Sequence, residues 1–486
     1  LDNKVEKGGA AIVMDPKTGE ILAMAVKPDF DLNAPFTLKP EVQAEVDKLD
    51  STTKKERIGQ EVSKMWRNKA IVDSYEPGST FKIITSAMGL EENMITPETT
   101  FNCAGAYTVA GRAIKCWRYY RPHGLQTFKQ GVQNSCNPVF IDIGLRAGAD
   151  IFYNYVKGFG FLERTGIDFD GETQGIFHQK KNMHELEVAT ASFGQGFQVT
   201  PLQMIAAASA VANGGKLLKP HLVKQIVDVE GNTIKNVEPE MVRQVISQQT
   251  CDILKPVLES VVSEGTAQNA FISGFRVGGK TGTSEKLPRG QNNYIASFVG
   301  MAPCNDPRVV VILVLDEPKG KDYYGGIIAA PVVGKIMDDV LRYLEVEPQY
   351  NDSELSKLEV GVPQAVGADV SEAKSRMTEA KLTAKIIGNG KTVLEQTPKA
   401  GVKILEKSQV LLYTEAAQAK ANVTIPNLTG KSVLDATKAL NAIGLNIRVS
   451  GAGQVTKQDP PAGSTVVVGS IVAVDFRAQS QEVGVE

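Results

Sequence analysis

A serine and a lysine three positions apart, Ser79 and Lys82, are the residues of this sequence best suited to nucleophilic chemistry. A Pro-Gly turn precedes the serine and apolar residues at helical spacing follow it, which predicts a buried helix beginning here. Residues three apart on a helix share a face, so the lysine amine can reach the serine hydroxyl. The amine acts as a base only if burial or neighbouring positive charge lowers its pKa, and the helix N-terminus would favour an oxyanion beside the serine.

Two further motifs matter because Ser-x-x-Lys alone also fits a helix cap beside a solvated lysine. The first is Ser135-Cys136-Asn137, between two helical patterns, where a turn can aim Ser135 and Asn137 inward together. The second is Lys280-Thr281-Gly282-Thr283, in a strand-like run. Each motif is weak alone, whereas the three in this order form a specific signature.

The elements that must position these motifs follow an α+β pattern. Two runs near the amino terminus predict a hairpin, residues 37 to 70 predict surface helices, and three later runs predict an antiparallel meander closed by an amphipathic helix. The hairpin runs are Gly8 to Pro16 and Glu20 to Lys27, the meander runs are Phe275 to Thr283, Tyr294 to Ala302 and Arg308 to Leu315, and the closing helix is Ala329 to Leu344. Strands at both ends with helices between them give the α+β layout.

An internal repeat marks the tail. Residues 362–367 recur as 425–430, and residues 396–401 recur as 458–463, with an alanine-bearing helical pattern after the first block of each copy. Two copies about 60 residues apart indicate two small modules, each a short helix against a few strands. The predicted domains are therefore residues 1–347, residues 357–417 and residues 420–478.

Composition excludes several classes of function. The chain has 486 residues and a formal net charge of -2, which gives no sign of a nucleic-acid partner. No apolar run approaches the length of a membrane span, and the chain opens on Leu1, so we expect a fragment with any anchor upstream. Its five cysteines are too few for a disulfide scaffold.

The three motifs together resemble those of class B penicillin-binding proteins. Further shared segments are Arg67-Asn68 ahead of Tyr75-Glu76-Pro77-Gly78-Ser79, the stretch from Gly194 to Gln203, and the tail repeats, which are similar to PASTA modules. The resemblance implies a penicillin-binding/β-lactamase-like transpeptidase domain, with an antiparallel sheet flanked by helices. Two small α+β PASTA modules would follow it.

The resemblance also implies an activity, a peptidoglycan D,D-transpeptidase. Ser79 would attack the D-Ala-D-Ala stem peptide and form an acyl-enzyme, which an amine of a neighbouring stem resolves to a cross-link. Lys82 would be the base, kept neutral by burial and by the nearby Lys280 charge, and Ser135 would relay a proton to the leaving nitrogen. β-Lactams would acylate the same serine and inhibit it.

Substrate binding is implied in the same way. Asn137 would bond the substrate amide, and Lys280, Thr281 and Thr283 would hold the substrate carboxylate. The backbone N–H groups of Ser79 and Thr283 would form the oxyanion hole. Gly282, in the same strand, would let substrate approach the strand edge closely.

A group of cysteines and one histidine lies close to the second motif in the sequence, at Cys103, Cys116, His123 and Cys136. Thiolates and imidazole are zinc ligands, although the spacing is not that of a compact pair, and some class B relatives bind zinc near the active site. A Cys103 to Cys116 disulfide and free buried thiols remain alternatives. The chemistry itself requires no cofactor, and Cys136 departs from the Ser-Asp-Asn form of the second motif.

The partners implied are peptidoglycan stem peptides, β-lactams, a glycosyltransferase on another protein, and other division or elongation proteins, but no nucleic acid. The expected place is the extracytoplasmic face of the bacterial cytoplasmic membrane, with an N-terminal anchor outside this chain. Division, elongation and sporulation types all fit. The rivals are a β-lactamase, a D-Ala-D-Ala carboxypeptidase, and a catalytically weak β-lactam or cell-wall-binding scaffold or sensor.

Overall fold

A computed structural model describes residues 5–415, 421–451 and 453–477. It divides into two compact units. The first extends to Leu344 apart from residues 273–275, and the second comprises those three residues and the chain from Glu345 onward. Among the described residues, no helix combines the length and apolar character that crossing a bilayer requires.

The first unit contains both strands and helices. Its strands are β1 (Gly9–Met14), β2 (Ile21–Lys27), β3 (Thr100–Cys103), β4 (Ala106–Val109), β5 (Arg112–Lys115), β6 (Gly124–Thr127), β7 (Lys216–Leu218), β8 (Gln225–Val227), β9 (Thr233–Asn236), β10 (Met241–Gln244), β11 (Gly278–Glu285), β12 (Tyr294–Ala302) and β13 (Val309–Asp316). Its helices are α1 (Pro40–Val46), α2 (Ser51–Met65), α3 (Lys82–Glu91), α4 (Phe128–Gln133), α5 (Asn137–Gly158), α6 (Glu185–Ala191), α7 (Pro201–Ala212), α8 (Gln248–Ser263), α9 (Gly325–Ile328) and α10 (Ala330–Tyr343).

The main sheet has the strand order β11-β12-β13-β1-β2, and every neighbouring pair is antiparallel. Helices α7 and α10 pack against β13, and α8 packs against β11. The predicted hairpin and meander are therefore parts of one sheet flanked by helices. Because β11 lies at the edge, its outer side has no strand partner among the described residues.

Helix α3 forms the centre of the helical layer. Nine of its ten residues are buried, and it contacts α5, α7 and α8. A 3-10 turn, Gly78–Phe81, leads directly into it, so Ser79 lies in this turn and Lys82 begins the helix. The Phe81 ring anchors the turn, with its centroid 4.8 Å from the Phe197 ring and 5.3 Å from the Phe161 ring.

The second unit contains the two repeats as two similar modules. Its elements are α11 (Asp352–Leu358), β14 (Glu359–Gly361), α12 (Val370–Glu379), β15 (Thr383–Ile387), β16 (Glu395–Thr397), β17 (Lys403–Leu405), β18 (Gln409–Tyr413), β19 (Asn422–Thr424), α13 (Val433–Ala442), β20 (Asn446–Gly451), β21 (Gln454–Asp459), β22 (Thr465–Val467) and β23 (Ile471–Arg477). The sheets β15-β18-β16 and β20-β23-β21 match, since each pairs its first two strands parallel and its last two antiparallel. Helices α12 and α13 each bury one face against their module. The sequence repeat is thus also a structural repeat.

Candidate active site

The Lys82 amine lies at the meeting point of the first two motifs. Its Nζ donates to the Ser135 backbone oxygen at 2.8 Å, to Ser135 Oγ at 3.3 Å and to Asn137 Oδ1 at 2.8 Å. It also lies 5.0 Å from the centroid of the Phe140 ring. None of these three hydrogen bonds is to Ser79, so the lysine is held by residues more than 50 positions away. The structure therefore brings the first two motifs into direct contact.

Burial tunes this amine. The Lys82 side chain is 0% exposed, and burial lowers its pKa to about 8, while the nearby Cys136 and Cys116 thiols act in the opposite direction. Roughly a tenth of the amine is then neutral at pH 7. The pKa of Lys280, in the third motif, is also lowered, chiefly by burial and secondly by the nearby Lys82 charge. Burial, one of the two causes expected from the sequence, thus acts on Lys82, and the contribution of the Lys280 charge stays a prediction.

The second motif forms the turn that its spacing suggested. Helix α4 ends at Gln133 and α5 begins at Asn137. Ser135 between them has φ 51°, in the left-handed region that residues other than glycine avoid. This conformation points the backbone oxygen of Ser135 at Lys82 and leaves Ser135 only 7% exposed. Asn137 Nδ2 donates to the Lys115 backbone oxygen at 3.3 Å, which fixes its amide with Oδ1 toward Lys82.

The third motif lies on the edge strand β11. Thr281 and Thr283 project to one side of the sheet because alternate residues of a strand do so. Thr283 Oγ1 accepts a hydrogen bond from the Gly325 N–H at 3.0 Å, and Thr281 Oγ1 lies 3.3 Å from Thr266 Oγ1. Lys280 projects to the other side, where it is fully buried. Both threonine hydroxyls are thus oriented by neighbours that the motif does not contain.

Gly282 has a packing role. A Cβ at this position would lie 2.4 Å from Ser297 Oγ and 3.0 Å from the Pro77 backbone oxygen. The missing side chain therefore lets β11 pack against β12 and against the turn before Ser79. That this glycine also makes room for substrate stays a prediction.

The turn that carries Ser79 is braced by a second glycine loop. The Gly78 N–H donates to the Gly194 backbone oxygen at 2.9 Å, and a Cβ on Gly194 would lie 1.9 Å from the Gly78 backbone oxygen. Glu76 Oε1 accepts from the Gly196 N–H at 3.0 Å, and Glu76 Oε2 pairs with Arg289 Nη2 at 3.0 Å. Ser79 itself is partly exposed at the end of this braced segment.

Several of these supporting residues could not be assigned a role from the sequence alone. Gly194 and Gly196 fall within a segment shared with the family, and a glycine-rich loop followed by a Thr-Pro helix start is the signal that could find them. Thr266, Gly325 and Arg289 gave no signal, because their contacts join segments far apart in the chain.

The cysteines and the histidine converge into one cluster. The ligand atoms of Cys103, Cys116, His123 and Cys136 all lie within 4.8 Å of one another. All the thiols are free, so the alternative Cys103–Cys116 disulfide is absent from the structure. Cys116 Sγ lies 3.6 Å from His123 Nδ1, and its hydrogen bond with Cys136 lowers the pKa of Cys116 while raising that of Cys136.

The donor set suits zinc. Tetrahedral zinc with Zn–S bonds of about 2.3 Å separates its ligand atoms by roughly 3.8 Å, which is compatible with the cluster. His123 Nε2 is buried without a hydrogen-bond partner, while its other ring nitrogen faces Cys116. Cys136 lies between Ser135 and Asn137, so the cluster adjoins the second motif directly.

Comparison with known proteins identifies the class. Residues 9–338 match the penicillin binding protein transpeptidase domain, and residues 360–416 and 423–476 match the PASTA domain. The chain therefore belongs to the penicillin-binding protein transpeptidase family, with two PASTA domains after the transpeptidase domain. This confirms the expected family and the α+β fold.

Individual proteins similar to this chain belong to the same family. The chain is 41% identical over 431 residues to stage V sporulation protein D of Bacillus subtilis, covering 85% of this chain and 62% of that protein. It is 31% identical to the probable peptidoglycan D,D-transpeptidase PenA of Neisseria flavescens, covering 70% and 77% respectively. Penicillin binding protein 3 of Mycobacterium tuberculosis, solved with ampicillin, superposes with a TM-score of 0.59 at 27% identity, over 70% of this chain and 73% of that one.

Proposed function

We propose that the protein is a peptidoglycan D,D-transpeptidase that cross-links stem peptides through an acyl-enzyme on Ser79. The observation that carries the proposal is the buried Lys82 amine, which has a lowered pKa and is held by Ser135 and Asn137 at the start of the helix after Ser79. A neutral amine there is the base that a serine nucleophile requires. The names of PenA-type relatives support the same activity.

In the proposed reaction, neutral Lys82 takes the Ser79 proton while Ser79 Oγ bonds to the carbonyl carbon of the penultimate D-Ala. The tetrahedral intermediate places its negative oxygen between the backbone N–H groups of Ser79 and Thr283, which lies on the free edge of β11. The C–N bond then breaks, and Ser135 passes the proton from Lys82 to the departing D-Ala nitrogen. An amine of a second stem peptide repeats these steps in reverse and forms the cross-link.

The remaining motif residues are proposed to bind the substrate. Asn137 offers its amide to the peptide backbone, and Thr281 and Thr283 offer hydroxyls to the terminal carboxylate. The buried Lys280 adds a positive charge behind them when it is protonated. Gly282 keeps the strand close to the Ser79 turn. A β-lactam presents the same carbonyl and carboxylate, so it acylates Ser79 and is released slowly.

The test is intact-mass spectrometry after incubation with benzylpenicillin, for the wild type and Ser79→Ala, alongside cross-linking of a D-Ala-D-Ala peptide to an amine acceptor. A persistent one-to-one adduct and a cross-linked product, both lost in the variant, are expected. Rapid release of hydrolysed drug would instead identify a β-lactamase. An adduct without any peptide turnover would support the alternative of a catalytically weak scaffold or sensor.

We also propose that Cys103, Cys116, His123 and Cys136 hold a structural zinc ion, on the strength of the compact donor set. When bound, the metal supplies a cross-link that ties the loop 116–123 to the second motif, and it takes no part in bond making. We expect one equivalent of zinc by elemental analysis and a lower melting temperature after chelation. Cys103→Ser should lose the metal, whereas Cys251→Ser, a buried free thiol elsewhere, should keep it. Metal-free protein from zinc-replete expression with an unchanged melting temperature would refute the site.

The proposed substrate determines where the protein acts and which other reaction must provide its glycan strands. Stem peptides are joined outside the cytoplasm, so we place the site on the extracytoplasmic face of the cytoplasmic membrane. The class of reaction that must supply its glycan strands is a glycosyl transfer carried out by another protein. Labelling of intact cells with a fluorescent penicillin that does not cross the membrane should reach this protein. Labelling only after permeabilisation would contradict this placement.

A sporulation setting is the one we propose, because the relative matched over 85% of the chain is named stage V sporulation protein D. Expression of the full-length protein in a Bacillus subtilis strain that lacks that relative should restore heat-resistant spores. The Ser79→Ala variant serves as the control. Failure to restore spores at wild-type protein levels would argue for another setting.

A further inference from the structure

We propose that the segment from Arg112 to Arg121, beside Asn137, is a binding surface for carboxylate groups that the donor stem peptide carries upstream of its D-Ala-D-Ala end. This inference rests on the proposed function and names a substrate feature for the same site. We call the segment the basic lip.

The basic lip carries a local excess of positive charge. The sequence contains no acidic residue between Glu98 and Asp142, yet the basic lip carries Arg112, Lys115, Arg118 and Arg121. Within the described part of the chain, none of these four cations forms an ion pair. The whole protein has a net charge of -2, so this local excess is not a general property of its surface.

The basic lip lies directly beside the second motif. The Lys115 backbone oxygen accepts the Asn137 side-chain amide at 3.3 Å, and Trp117 Nε1 donates to the Asn134 backbone oxygen at 3.0 Å. These two bonds fall on either side of Ser135. A peptide whose amide reaches Asn137 therefore continues along or beside the basic lip.

The lip is also held rigidly. Strands β4 and β5 form a hairpin, and the Cys116 N–H donates to the Gly105 backbone oxygen at 2.9 Å. The loop that follows enters the cysteine–histidine cluster at both of its ends, through Cys116 and His123. A surface ordered before binding loses little entropy when a ligand arrives.

Exposed aromatic rings complete the surface. Trp117, Tyr119 and Tyr120 are 47%, 53% and 73% exposed, and Lys115 Nζ lies 4.6 Å from the Tyr119 ring centroid. Three exposed rings within four residues form an apolar patch of the kind that marks an interaction site. These rings can pack against the aliphatic part of a peptide side chain, while the planar arginine guanidinium groups can bind its carboxylate through paired hydrogen bonds.

The experiment uses two donor peptides that end in D-Ala-D-Ala and differ only upstream, where side-chain and α-carboxylates are free in one and amidated in the other. Each is tested for slowing the acylation of Ser79 by a fluorescent penicillin, which measures binding without requiring turnover. The variant is Arg112→Gln, Arg118→Gln and Arg121→Gln combined, which leaves Lys115 and its bond to Asn137 in place. The control combines Lys48→Gln, Lys55→Gln and Lys181→Gln, three exposed lysines elsewhere that form no ion pair with any described residue.

We expect wild type and control to bind the carboxylate peptide about tenfold more tightly than the amidated one, with the preference shrinking at high salt. The lip variant should lose most of this preference while penicillin acylation without peptide keeps its rate. Equal binding of the two peptides by wild type, or an unchanged preference in the lip variant, would overturn the proposal. Stronger competition by polyphosphate than by either peptide would assign the lip to a phosphate polymer and also overturn it. Loss of penicillin acylation in wild type would instead refute the proposed function.

Discussion

Thr266 Oγ1 lies 3.3 Å from Thr281 Oγ1, and the Thr266 N–H donates to the backbone oxygen of Gln133 at 3.2 Å. One residue thus joins the end of α4, next to the second motif, to the strand that carries the third. If Thr281 gives its proton to a substrate carboxylate, Thr266 must donate to Thr281, which fixes the direction of that hydroxyl.

Replacing Thr266 by valine should therefore slow Ser79 acylation by penicillin roughly threefold to tenfold, the cost of one hydrogen bond. The loss should appear mainly as weaker initial binding, because Thr281 is proposed to hold the carboxylate. Stopped-flow acylation separates binding from the chemical step. Thr266→Ser keeps the hydroxyl and should restore the rate, so a serine variant as slow as the valine variant would contradict this role.

The pH dependence of acylation should follow Lys82. Burial lowers its pKa to about 8, and only the neutral amine is a base, so the second-order rate with penicillin should rise with pH and level off above about 8. Rates between pH 6 and 10, corrected for spontaneous hydrolysis of the drug, provide the check. A profile that is flat across this range would exclude Lys82 as the base.

Replacing Lys82 by methionine should abolish acylation and yet raise stability. A shift of the Lys82 pKa from 10.5 to about 8 corresponds to about 3 kcal/mol of destabilisation. Lost hydrogen bonds to Ser135 and Asn137 offset part of this, which leaves a gain of about 1 kcal/mol at pH 7.

The sign follows from proton binding, since the unfolded chain keeps the Lys82 proton up to pH 10.5 while the folded protein releases it near pH 8. The destabilisation is complete below pH 8, declines between these two values and is absent above 10.5. Denaturant unfolding at pH 7 and pH 10 should therefore show the advantage of the methionine variant shrinking. An advantage that grows with pH would contradict the assignment.

Gly194→Ala should displace the turn that carries Ser79. Its φ of 87° is unfavourable for alanine, and the new Cβ would lie 1.9 Å from the Gly78 backbone oxygen. We expect a loss of more than about 3 kcal/mol in unfolding free energy, or acylation at least a hundredfold slower if the protein still folds.

Gly171→Ala is the matched control, because Gly171 has φ 91° and no atom of the described residues lies within 4 Å of its Cβ position. It should lose only about 1 kcal/mol and acylate normally. Similar effects of the two variants on unfolding and on acylation would mean that backbone strain, and not the contact with Gly78, is what matters.

The sequence predicted the motifs and the layout of strands and helices well, because both depend on local spacing. Ser79 lies in the 3-10 turn that leads into the predicted buried helix, Lys82 begins that helix, and the repeats form two modules of the same topology. The partners of Lys82 were less accessible to such reasoning, since Asn137 is 55 positions away along the chain. The cysteine cluster was proposed from proximity in sequence, but its compactness depends on how β3, the loop after β5 and the start of α5 pack together.

Glu76 is tied on one side to the Gly196 N–H and on the other to Arg289, in the exposed loop between β11 and β12. A surface arginine therefore helps to hold the turn of the nucleophile, although it belongs to none of the three motifs. If Ser79 is the nucleophile as proposed, a substitution in this surface loop can alter acylation by penicillin while the side chains of the three motifs stay unchanged. Arg289→Gln should reveal this as slower acylation of Ser79 by penicillin.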